Sequence, residues 1–460
     1  MATRQRAEVA EEFLGAELGD GRRNARLVRL AESVARKPDA SFPKAMTAAE
    51  LEAAYRFFNN VKVKPAQILE PHVRQTMERM ADEVVTLVAH DTTTVSFKSE
   101  DRDELAGRGD SQQFLAHCSL ALRADGSRQP LGVLAMSHHL PVKTPDRSLQ
   151  NRWADQTRHI YGLGIDPASV VHLMDREADD YDVLDLLKGL NGRFVIRVQH
   201  DRKLETGLLS ESLMHAQLQA ERDVFLSQRT SKGRGPKSNR VHPARDERTA
   251  QLSVSARQVE LLRPYTSKQS QAETLRMNVV RVWEPHPPDG QKAVEWVLYT
   301  SEPIDTPEQV MTVVDWYRAR WTIEEYFKAL KTGCALEARQ LGDLHALSNV
   351  LALLAPIAWR LLLLKTEART KPAAPATELF DAEELQVLRA AVVGRRRLPE
   401  NPTLLDAMLS IASLGGHLKH NGPPGWQTIA RGYETLRALM LGWHLHRAVE
   451  AGILEPPRDQ

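Results

Sequence analysis

The chain has 460 residues, too many for one ordinary domain, so two to four folding units are expected. Apolar residues make up 42% of the sequence and charged residues 26%, proportions typical of a soluble protein with substantial cores. There are two cysteines, Cys118 and Cys334, which exclude a disulfide scaffold or a cysteine-rich zinc site and fit the reducing cytoplasm.

No membrane is expected among the partners of this chain. The N-terminus is charged and has no apolar stretch, so no secretory signal is predicted. The most apolar run, residues 347–364, contains Asn349, Pro356 and Arg360, and it predicts a buried core helix rather than a membrane span.

Cationic side chains are clustered, although the formal net charge is only +1. Residues 228–245 carry six arginines and lysines and no acid, and smaller clusters lie at 22–26 and 395–397. Because affinity for phosphates depends on local charge, these clusters favour a nucleic-acid partner. A solvated surface is the alternative interpretation of each run.

The order of the predicted elements indicates the fold. A small helical unit comes first, with helices over 7–18, 23–35 and 47–58. Strands follow over 84–90, 114–122 and 131–138, then a helix over 148–161, a strand over 170–174, a helix over 181–187 and a strand over 193–198. Three meandering strands followed by alternating helices and strands predict an α/β catalytic core with the mixed sheet of RNase H.

Further elements extend this core. Alternating apolar residues between about 205 and 300 predict an antiparallel β insertion, and a long helical region is predicted over 307–364. Prolines and alanines at 371–376 predict a linker, after which the chain is helical with a break at Gly415-Gly416. The expected domains are 1–65, 66–370 and 371–460.

Two aspartates are candidate metal ligands. Asp91 and Asp175 each follow a predicted strand, the position where α/β sheets place ligands. Two carboxylates brought together there would repel each other without a cation, and Mg²⁺ prefers hard oxygen ligands together with substrate phosphates. A turn-forming or capping role is the competing interpretation of each aspartate.

A predicted helix near residue 315 carries four residues whose spacing places them within about 60° on one face: Tyr317, Arg320, Glu324 and Lys331. Trp321 and Lys328 lie close to the same stripe. In this arrangement Glu324 would join the metal site while the flanking cations hold phosphates. Ordinary surface ion pairs, such as Glu324–Lys328, would give the same pattern.

The spacing Tyr317-x2-Arg320-x3-Glu324-x6-Lys331 resembles the YREK signature of the insertion-sequence-four family of DDE transposases. The resemblance covers nearly the whole chain, through short motifs at 18–28, 54–57, 91–93, 175–179, 300–303, 320–325, 411–416 and 425–426. The sequence keeps the family pattern at every catalytic position.

The resemblance implies a metal-binding triad of Asp91, Asp175 and Glu324 that holds two Mg²⁺ ions, which Mn²⁺ can replace. The residues expected to contact DNA are Tyr317, Arg320, Lys328, Lys331, Arg197, Trp321, Arg22, Arg23 and Arg26. In that family one nucleotide near the cut is flipped out and stacked on an indole, and Trp296 resembles that residue. A core position in its strand is the alternative for Trp296.

The function implied by the resemblance is cut-and-paste transposition of double-stranded DNA through a hairpin intermediate, in the bacterial cytoplasm. Residues 1–65 would bind the transposon end, and 371–460 would form a homodimer. One alternative is an RNase H-like endonuclease without strand transfer, which the end-binding and dimerisation units argue against. The other is a non-catalytic DNA-binding regulator, which the intact triad argues against.

Overall fold

The computed structural model describes residues 9–36, 38, 40–97, 105–106, 112–141, 148–226, 246–267, 269–392, 397–418 and 424–451. The chain forms two compact units. The first comprises Met1–Thr86, Asp91–Asp146 and Trp321–Gln460, and the second comprises Leu87–His90 and Arg147–Arg320.

The helices in chain order are α1 (Gly21–Arg36), α2 (Phe42–Ala45), α3 (Ala48–Phe58), α4 (Pro65–Met80), α5 (Ser148–Gly162), α6 (Tyr181–Gly189), α7 (Leu209–Met214), α8 (Pro307–Ala319), α9 (Thr322–Lys328), α10 (Leu344–Thr370), α11 (Ala382–Ala391), α12 (Leu404–Leu414) and α13 (Trp426–Glu450). The strands are β1 (Thr86–Phe97), β2 (Gln112–Arg123), β3 (Pro130–His139), β4 (Val170–Met174), β5 (Arg193–Arg197), β6 (Lys203–Leu204), β7 (Gly207–Leu208), β8 (Leu218–Leu226), β9 (Arg248–Leu262), β10 (Thr274–Trp283) and β11 (Glu295–Thr300). A mixed α/β protein with helical N- and C-terminal parts, the fold class expected from the sequence, is confirmed.

The N-terminal helices of the first unit agree only in part with the prediction. Helices α1 and α3 form where they were expected, and Thr47 and Glu50 close a reciprocal capping box at the start of α3. The predicted helix over 7–18 is wrong, because its described part holds only a 3-10 turn, Glu11–Phe13. A left-handed backbone at Gly15 prevents an α-helix from continuing there.

Strands β3 and β2 of the first unit pair antiparallel, and β2 is followed in the sheet by β1, whose residues from Asp91 onward belong to this unit. Helices α4 and α10 pack against β3. Helix α10 is, among the described residues, the one helix long and apolar enough to span a membrane by length and composition, and its most apolar window is wholly buried. It is therefore the buried core helix that the sequence predicted.

A buried polar network joins the N-terminal segment to this core. Glu12 is hydrogen bonded to His72 Nδ1, and its carboxylate accepts from Arg79 Nη1 at 2.9 Å. His72 Nε2 accepts the Val133 N–H of β3 at 2.9 Å, so Nδ1 carries the proton of a neutral ring. Arg79 also donates to the Leu131 carbonyl at 2.6 Å. Three segments distant in sequence, the N-terminal segment, α4 and β3, thus share one set of hydrogen bonds.

The charge of Glu12 is maintained by its partners. Burial raises the pKa of this carboxyl, but the interactions with His72 and Arg79 outweigh burial and hold the pKa at about 2. Burial lowers the pKa of His72, although Glu12 opposes this shift. The network therefore combines a carboxylate, a neutral imidazole and a guanidinium.

The second unit is built on strands β4 and β5, which are parallel, with Val171 opposite Arg193. Strand β11 pairs antiparallel with β5, and β10 and β9 continue the sheet in that order, with β8 on the other edge of β9. This confirms the antiparallel β insertion. The hydrophobic core of the second unit includes Tyr181, Phe194 and Tyr299, all of which are buried.

The C-terminal helices pack through two glycines. A Cβ on Gly432 of α13 would lie 1.8 Å from the Ile411 carbonyl oxygen of α12, and one on Gly415 would lie 2.0 Å from the Thr428 carbonyl oxygen. The segment predicted as a linker, 371–376, bonds to the chain at the start of α12: Ala376 N–H donates to the Pro402 carbonyl at 2.8 Å, and Leu404 N–H donates to the Ala374 carbonyl at 2.8 Å. Main-chain hydrogen bonds to the segment before α12 therefore hold it in place.

Replacing Gly432 by alanine should destabilise the protein by about 1–3 kcal/mol, because the added methyl group overlaps the backbone of α12. Gly442 is the matched control, since it lies in the same helix with open space around its Cβ. Gly442→Ala should be stabilising by about 0.5–1 kcal/mol through helix propensity. Chemical denaturation of both variants measures the difference, and equal stabilities would contradict the close helix approach.

Acidification should break the Glu12 network. Its folded-state pKa of about 2 lies below the ordinary value of 4.5, so its stabilisation is fully present above pH 4.5 and is lost as the pH falls to about 2. Glu12→Gln should lower stability at neutral pH and flatten the decline in this range. Glu70→Gln, which removes an exposed ion pair with Arg74 on α4, is the control. Denaturant unfolding from pH 7 to 2 tests this, and parallel curves for wild type and Glu12→Gln would refute it.

Candidate active site

Asp91 lies within β1 in the first unit and is half-buried. The prediction that a strand ends just before Asp91 is wrong, because the strand continues to Phe97. The β-branched residues that follow Asp91 favour extended backbone, which accounts for the continuation. The Thr92 N–H donates to Asp91 Oδ1 at 2.8 Å. Burial raises the pKa of Cys118 on β2, and the charge of Asp91 adds to this effect.

Glu324 lies in the first turn of α9, also in the first unit, and is half-buried. An acid is favoured at this helix position by the exposed backbone N–H groups. Ile323 and Tyr326 are fully buried and define the core face of α9. Trp321, just before the helix, is 49% exposed. Glu324 therefore stands at the boundary between the core and the accessible side of the helix.

The two lysines predicted to bind DNA have carboxylate partners. Lys328 donates to Glu325 at 2.5 Å, so the surface pair on this helix involves Glu325 rather than Glu324. Lys331 donates to the Thr94 carbonyl of β1, and its ammonium lies 3.4 Å from Glu337 Oε1. Both lysines are thus held by contacts within the first unit.

Asp175 follows the fully buried strand β4 in the second unit, as predicted. Its Oδ1 accepts the Glu177 N–H at 2.9 Å and caps the 3-10 turn Arg176–Ala178. Glu177 in turn accepts from Arg152 at 2.6 Å. The position of Asp175 is therefore fixed by the end of the strand and by the turn it caps.

Residues predicted to contact DNA surround Tyr317 in the second unit. Tyr317 is 1% exposed. Its ring centroid lies 6.0 Å from that of Trp296, edge to face, and 5.9 Å from the Arg320 guanidinium carbon. Burial raises the pKa of Tyr317, whereas the guanidinium groups of Arg320 and Arg197 lower it. The charge of Asp175 raises it further, which places that carboxylate in the same electrostatic environment.

Adjacent strands position Arg197 and Trp296. Arg197 on β5 is opposite Leu298 on β11, and its Nη2 donates to the Glu295 carbonyl at 3.4 Å. Trp296 is opposite Val282 on β10. The indole is half-buried and lines a small, mainly apolar pocket with Val254 and Val282. Trp296 is therefore neither fully buried, as a core residue would be, nor fully exposed.

The single helix predicted to carry Tyr317, Arg320, Glu324 and Lys331 is not continuous. Helix α8 ends at Ala319, and bonds from Arg320 N–H to Tyr317 and from Glu324 N–H to Trp321 tighten the backbone between α8 and α9. Lys331 lies in a π-helix, Ala329–Gly333. Each irregular turn rotates the residues that follow it, so sequence spacing alone does not fix their relative directions.

The acids after Asp175 also differ from expectation. They were predicted mostly to face water or to cap a helix, and Asp180 does cap α6. Asp179 instead is buried, and it accepts N–H groups of Gln199 at 2.7 Å and His200 at 2.9 Å as well as two bonds from Arg202. Because these partners lie about twenty residues away, periodicity within α6 could not predict them.

The arginines predicted to bind the transposon end lie on α1 in the first unit. The side chain of Arg22 is 94% exposed, whereas Arg23 donates to the Leu18 carbonyl at 2.7 Å and is partly engaged in the fold. Arg26 is half-buried, and Arg29 is exposed. Arg22, Arg26 and Arg29 follow i, i+4, i+7 spacing and share a helix face. Sequence reasoning missed Arg29, although this spacing could have identified it.

Two further sequence predictions concern cations and metal. The basic run at 228–245 and residues 395–396 lie outside the described residues, whereas Arg397 is described and exposed. Within the described ranges, no group of three or more His, Cys, Asp or Glu side chains is arranged to hold a metal ion. The proposed ligands are distributed over both units, with Asp91 and Glu324 in the first and Asp175 in the second.

Comparisons with known proteins identify two regions of the chain. Residues 5–63 match a family model described as "Transposase DNA-binding", and residues 85–359 match one described as "Transposase DDE domain". A cryo-EM structure of the piggyBac transposase synaptic complex with hairpin DNA matches with a TM-score of 0.37 and 10% identity, over 100% of this chain and 86% of that one. The second family model covers more than half of the sequence, so the chain belongs to the DDE transposases, metal-dependent enzymes that cut and join DNA.

Proposed function

We propose that the chain is a cut-and-paste transposase of the insertion-sequence-four family, the group that contains the Tn-five transposase. The observation that carries the proposal is the environment of Tyr317, where Trp296, Arg197 and Arg320 lie in the same unit as Asp175. Two guanidinium groups and an aromatic ring near the carboxylate that follows β4 are the kinds of group that would hold a DNA strand next to the phosphate that reacts. The matched DNA-binding region gives the chain a means of selecting its DNA.

Asp91, Asp175 and Glu324 are the proposed metal ligands. Each supplies carboxylate oxygens, the donor type that Mg²⁺ and Mn²⁺ prefer, and each is half-buried. Two divalent ions bound by them would activate the attacking oxygen and neutralise charge on the leaving oxygen. The contribution of the chain is to hold these oxygens and to orient the DNA.

The flanking side chains are proposed to hold the DNA backbone. Arg320 and Lys331 would bind phosphates of the transposon end, since a guanidinium and an ammonium both pair well with phosphate oxygens. Tyr317 is buried, so its hydroxyl would support this surface from within. Lys328, Trp321 and Arg197 would complete the contact area.

The proposed reaction consists of four displacements at phosphorus. Water cuts one strand at the transposon end, and the freed 3′-hydroxyl attacks the opposite strand to give a hairpin. A second water opens the hairpin, and the 3′-hydroxyls then attack target DNA. The same geometry of nucleophile, phosphorus and leaving oxygen serves each step, so one active site is sufficient.

A tight hairpin bends the DNA sharply, and extrusion of one base relieves this bend. Trp296 is proposed to stack on that base, because the indole is accessible on one part and anchored against Tyr317 on another. An anchored indole loses little conformational freedom when a base stacks on it.

DNA binding and assembly complete the proposal. Arg22 and Arg26, with Arg23 partly engaged in the fold, would grip the transposon end from α1. The helices in 371–460 would form the homodimer that joins two ends in a synaptic complex. Action on chromosomal DNA in the bacterial cytoplasm is part of the same proposal.

Substituting any triad member should abolish cleavage without abolishing end binding. Asp91→Asn, Asp175→Asn and Glu324→Gln each remove a metal ligand, and nicking should fall by at least about a hundredfold. Asp180→Asn is a matched control, because Asp180 caps α6 and asparagine caps equally well. The measurements are nicking of a labelled end duplex in Mg²⁺ and gel-shift binding in EDTA. Substantial nicking by a triad variant would exclude that residue as a ligand.

Trp296→Ala should slow hairpin formation selectively. Loss of one base–aromatic stack costs about 1–3 kcal/mol, which corresponds to about a ten- to hundredfold slower step, while first-strand nicking stays almost unchanged. Removing the extruded base to leave an abasic site should partly rescue the variant, because no base then has to be unstacked. Single-turnover rates of nicking and hairpin formation on both substrates measure this.

Val282→Ala separates packing from stacking in this test. Val282 is buried, lies opposite Trp296 and lines the same pocket, so its truncation disturbs packing without touching DNA. It should affect both steps alike and gain nothing from the abasic substrate. If Trp296→Ala behaved in the same way, Trp296 would be a core residue and the base-stacking role would be withdrawn.

A further inference from the structure

The segment after α9 returns to β1 in an unusual conformation. The π-helix Ala329–Gly333 is closed by the Cys334 N–H bonding to the Ala329 carbonyl at 2.8 Å. Ala335 then adopts a left-handed backbone with φ +46°, a conformation that costs free energy in a residue other than glycine. A 3-10 turn, Leu336–Ala338, follows and carries Glu337. This backbone brings Glu337 back beside Lys331.

Glu337 and Lys331 together bind main-chain groups of β1. Glu337 Oε1 accepts the Ser96 N–H at 3.0 Å, and Lys331 Nζ donates to the Thr94 carbonyl. Residues two apart in a strand direct their main-chain groups to the same edge. An acceptor and a donor from the two side chains therefore satisfy consecutive groups of one strand edge, as a neighbouring strand would.

The two side chains also contact each other. Lys331 Nζ lies 3.4 Å from Glu337 Oε1, and the side chains are 26% and 37% exposed. A surface pair of this kind contributes little to stability by itself. The pair instead fixes the direction of the Lys331 ammonium. An ammonium has three N–H donors, and among the described residues its partners are Glu337 and the Thr94 carbonyl. One donor is left for an oxygen of a bound molecule.

This position is related to the proposed cleavage site along β1. Thr94 is three residues beyond Asp91 in the same strand, about 10 Å away at the usual strand rise. A duplex that presents a phosphodiester at Asp91 would thus present another phosphate to Lys331, about two to three nucleotides along its strand.

We propose that Glu337 is a positioning residue for end binding: with the Thr94 carbonyl it orients the Lys331 ammonium toward one phosphate of the transposon end. Glu337 itself repels DNA, so its benefit depends on fixing Lys331. The opposite role, a carboxylate that competes with phosphate for Lys331, predicts tighter DNA binding when Glu337 is neutralised. The inference rests on the proposed function, specifically on the contact between Lys331 and DNA.

The test compares Lys331→Ala, Glu337→Gln and the double variant with wild type. Glutamine keeps an acceptor for the Ser96 N–H but loses the charge that holds the ammonium. Glu70→Gln is the control, because it removes an exposed carboxylate paired with Arg74 on α4. Affinity for a labelled duplex of the element's terminal sequence is measured in EDTA over a range of salt concentrations. Thermal unfolding of each variant shows that it is folded.

Lys331→Ala should weaken binding about tenfold and reduce the salt slope by about one. Glu337→Gln should weaken it about three- to tenfold, and the double variant should bind no more weakly than Lys331→Ala, because both changes remove the same contact. Glu70→Gln should bind as wild type or slightly more tightly.

Three outcomes would overturn the inference. Tighter binding by Glu337→Gln would make Glu337 a competitor of DNA. If the double variant lost affinity by the product of the two single-variant factors, Glu337 would act independently of Lys331. Wild-type binding by Glu337→Gln, with weak binding by Lys331→Ala, would mean that Lys331 needs no positioning. Failure of the proposed contact is distinguishable, because Lys331→Ala itself would then bind as wild type.

Discussion

The buried carboxylate of Glu12 is the interaction on which the first unit most depends. A charge removed from water is tolerated only when it is paired and hydrogen bonded, and Arg79 and His72 meet this requirement from α4. The same two side chains bind main-chain groups of β3. The start of the DNA-binding region is thereby fixed to the sheet that includes the strand of Asp91.

The sequence predicted those parts of the fold in which local pattern and tertiary structure agree. Strand β4 forms over Val170–Met174 as expected, because a mainly apolar run suits a strand buried on both faces. Helix α4 was missed: it contains Pro71, which normally disfavours a helix interior, and burial against β3 and α10 compensates. Tertiary contacts of this kind have no signature in local periodicity.

Sequence spacing did not predict the backbone geometry of the candidate site. Spacing identified Tyr317, Arg320, Glu324 and Lys331 as a group, but it assumed one regular helix. Changes in hydrogen-bond register at Arg320 and at the π-helix follow from main-chain contacts, which spacing does not encode. Glu337 was missed for the same reason, since its relation to Lys331 depends on the left-handed Ala335.

The position of Trp296 depends on the main-chain hydrogen bonds between β5 and β11 and not on the length of the β insertion. Trp296 is placed by main-chain bonds between β11 and its neighbours β5 and β10, with Leu298 opposite Arg197. In the hydrogen-bonded order of the sheet, β9 and β10 lie between β8 and this ladder. Residues added to or deleted from their connecting loops would change loop entropy slightly and leave the indole in register. Changes in the length of those loops are therefore expected to leave the position of Trp296 unchanged.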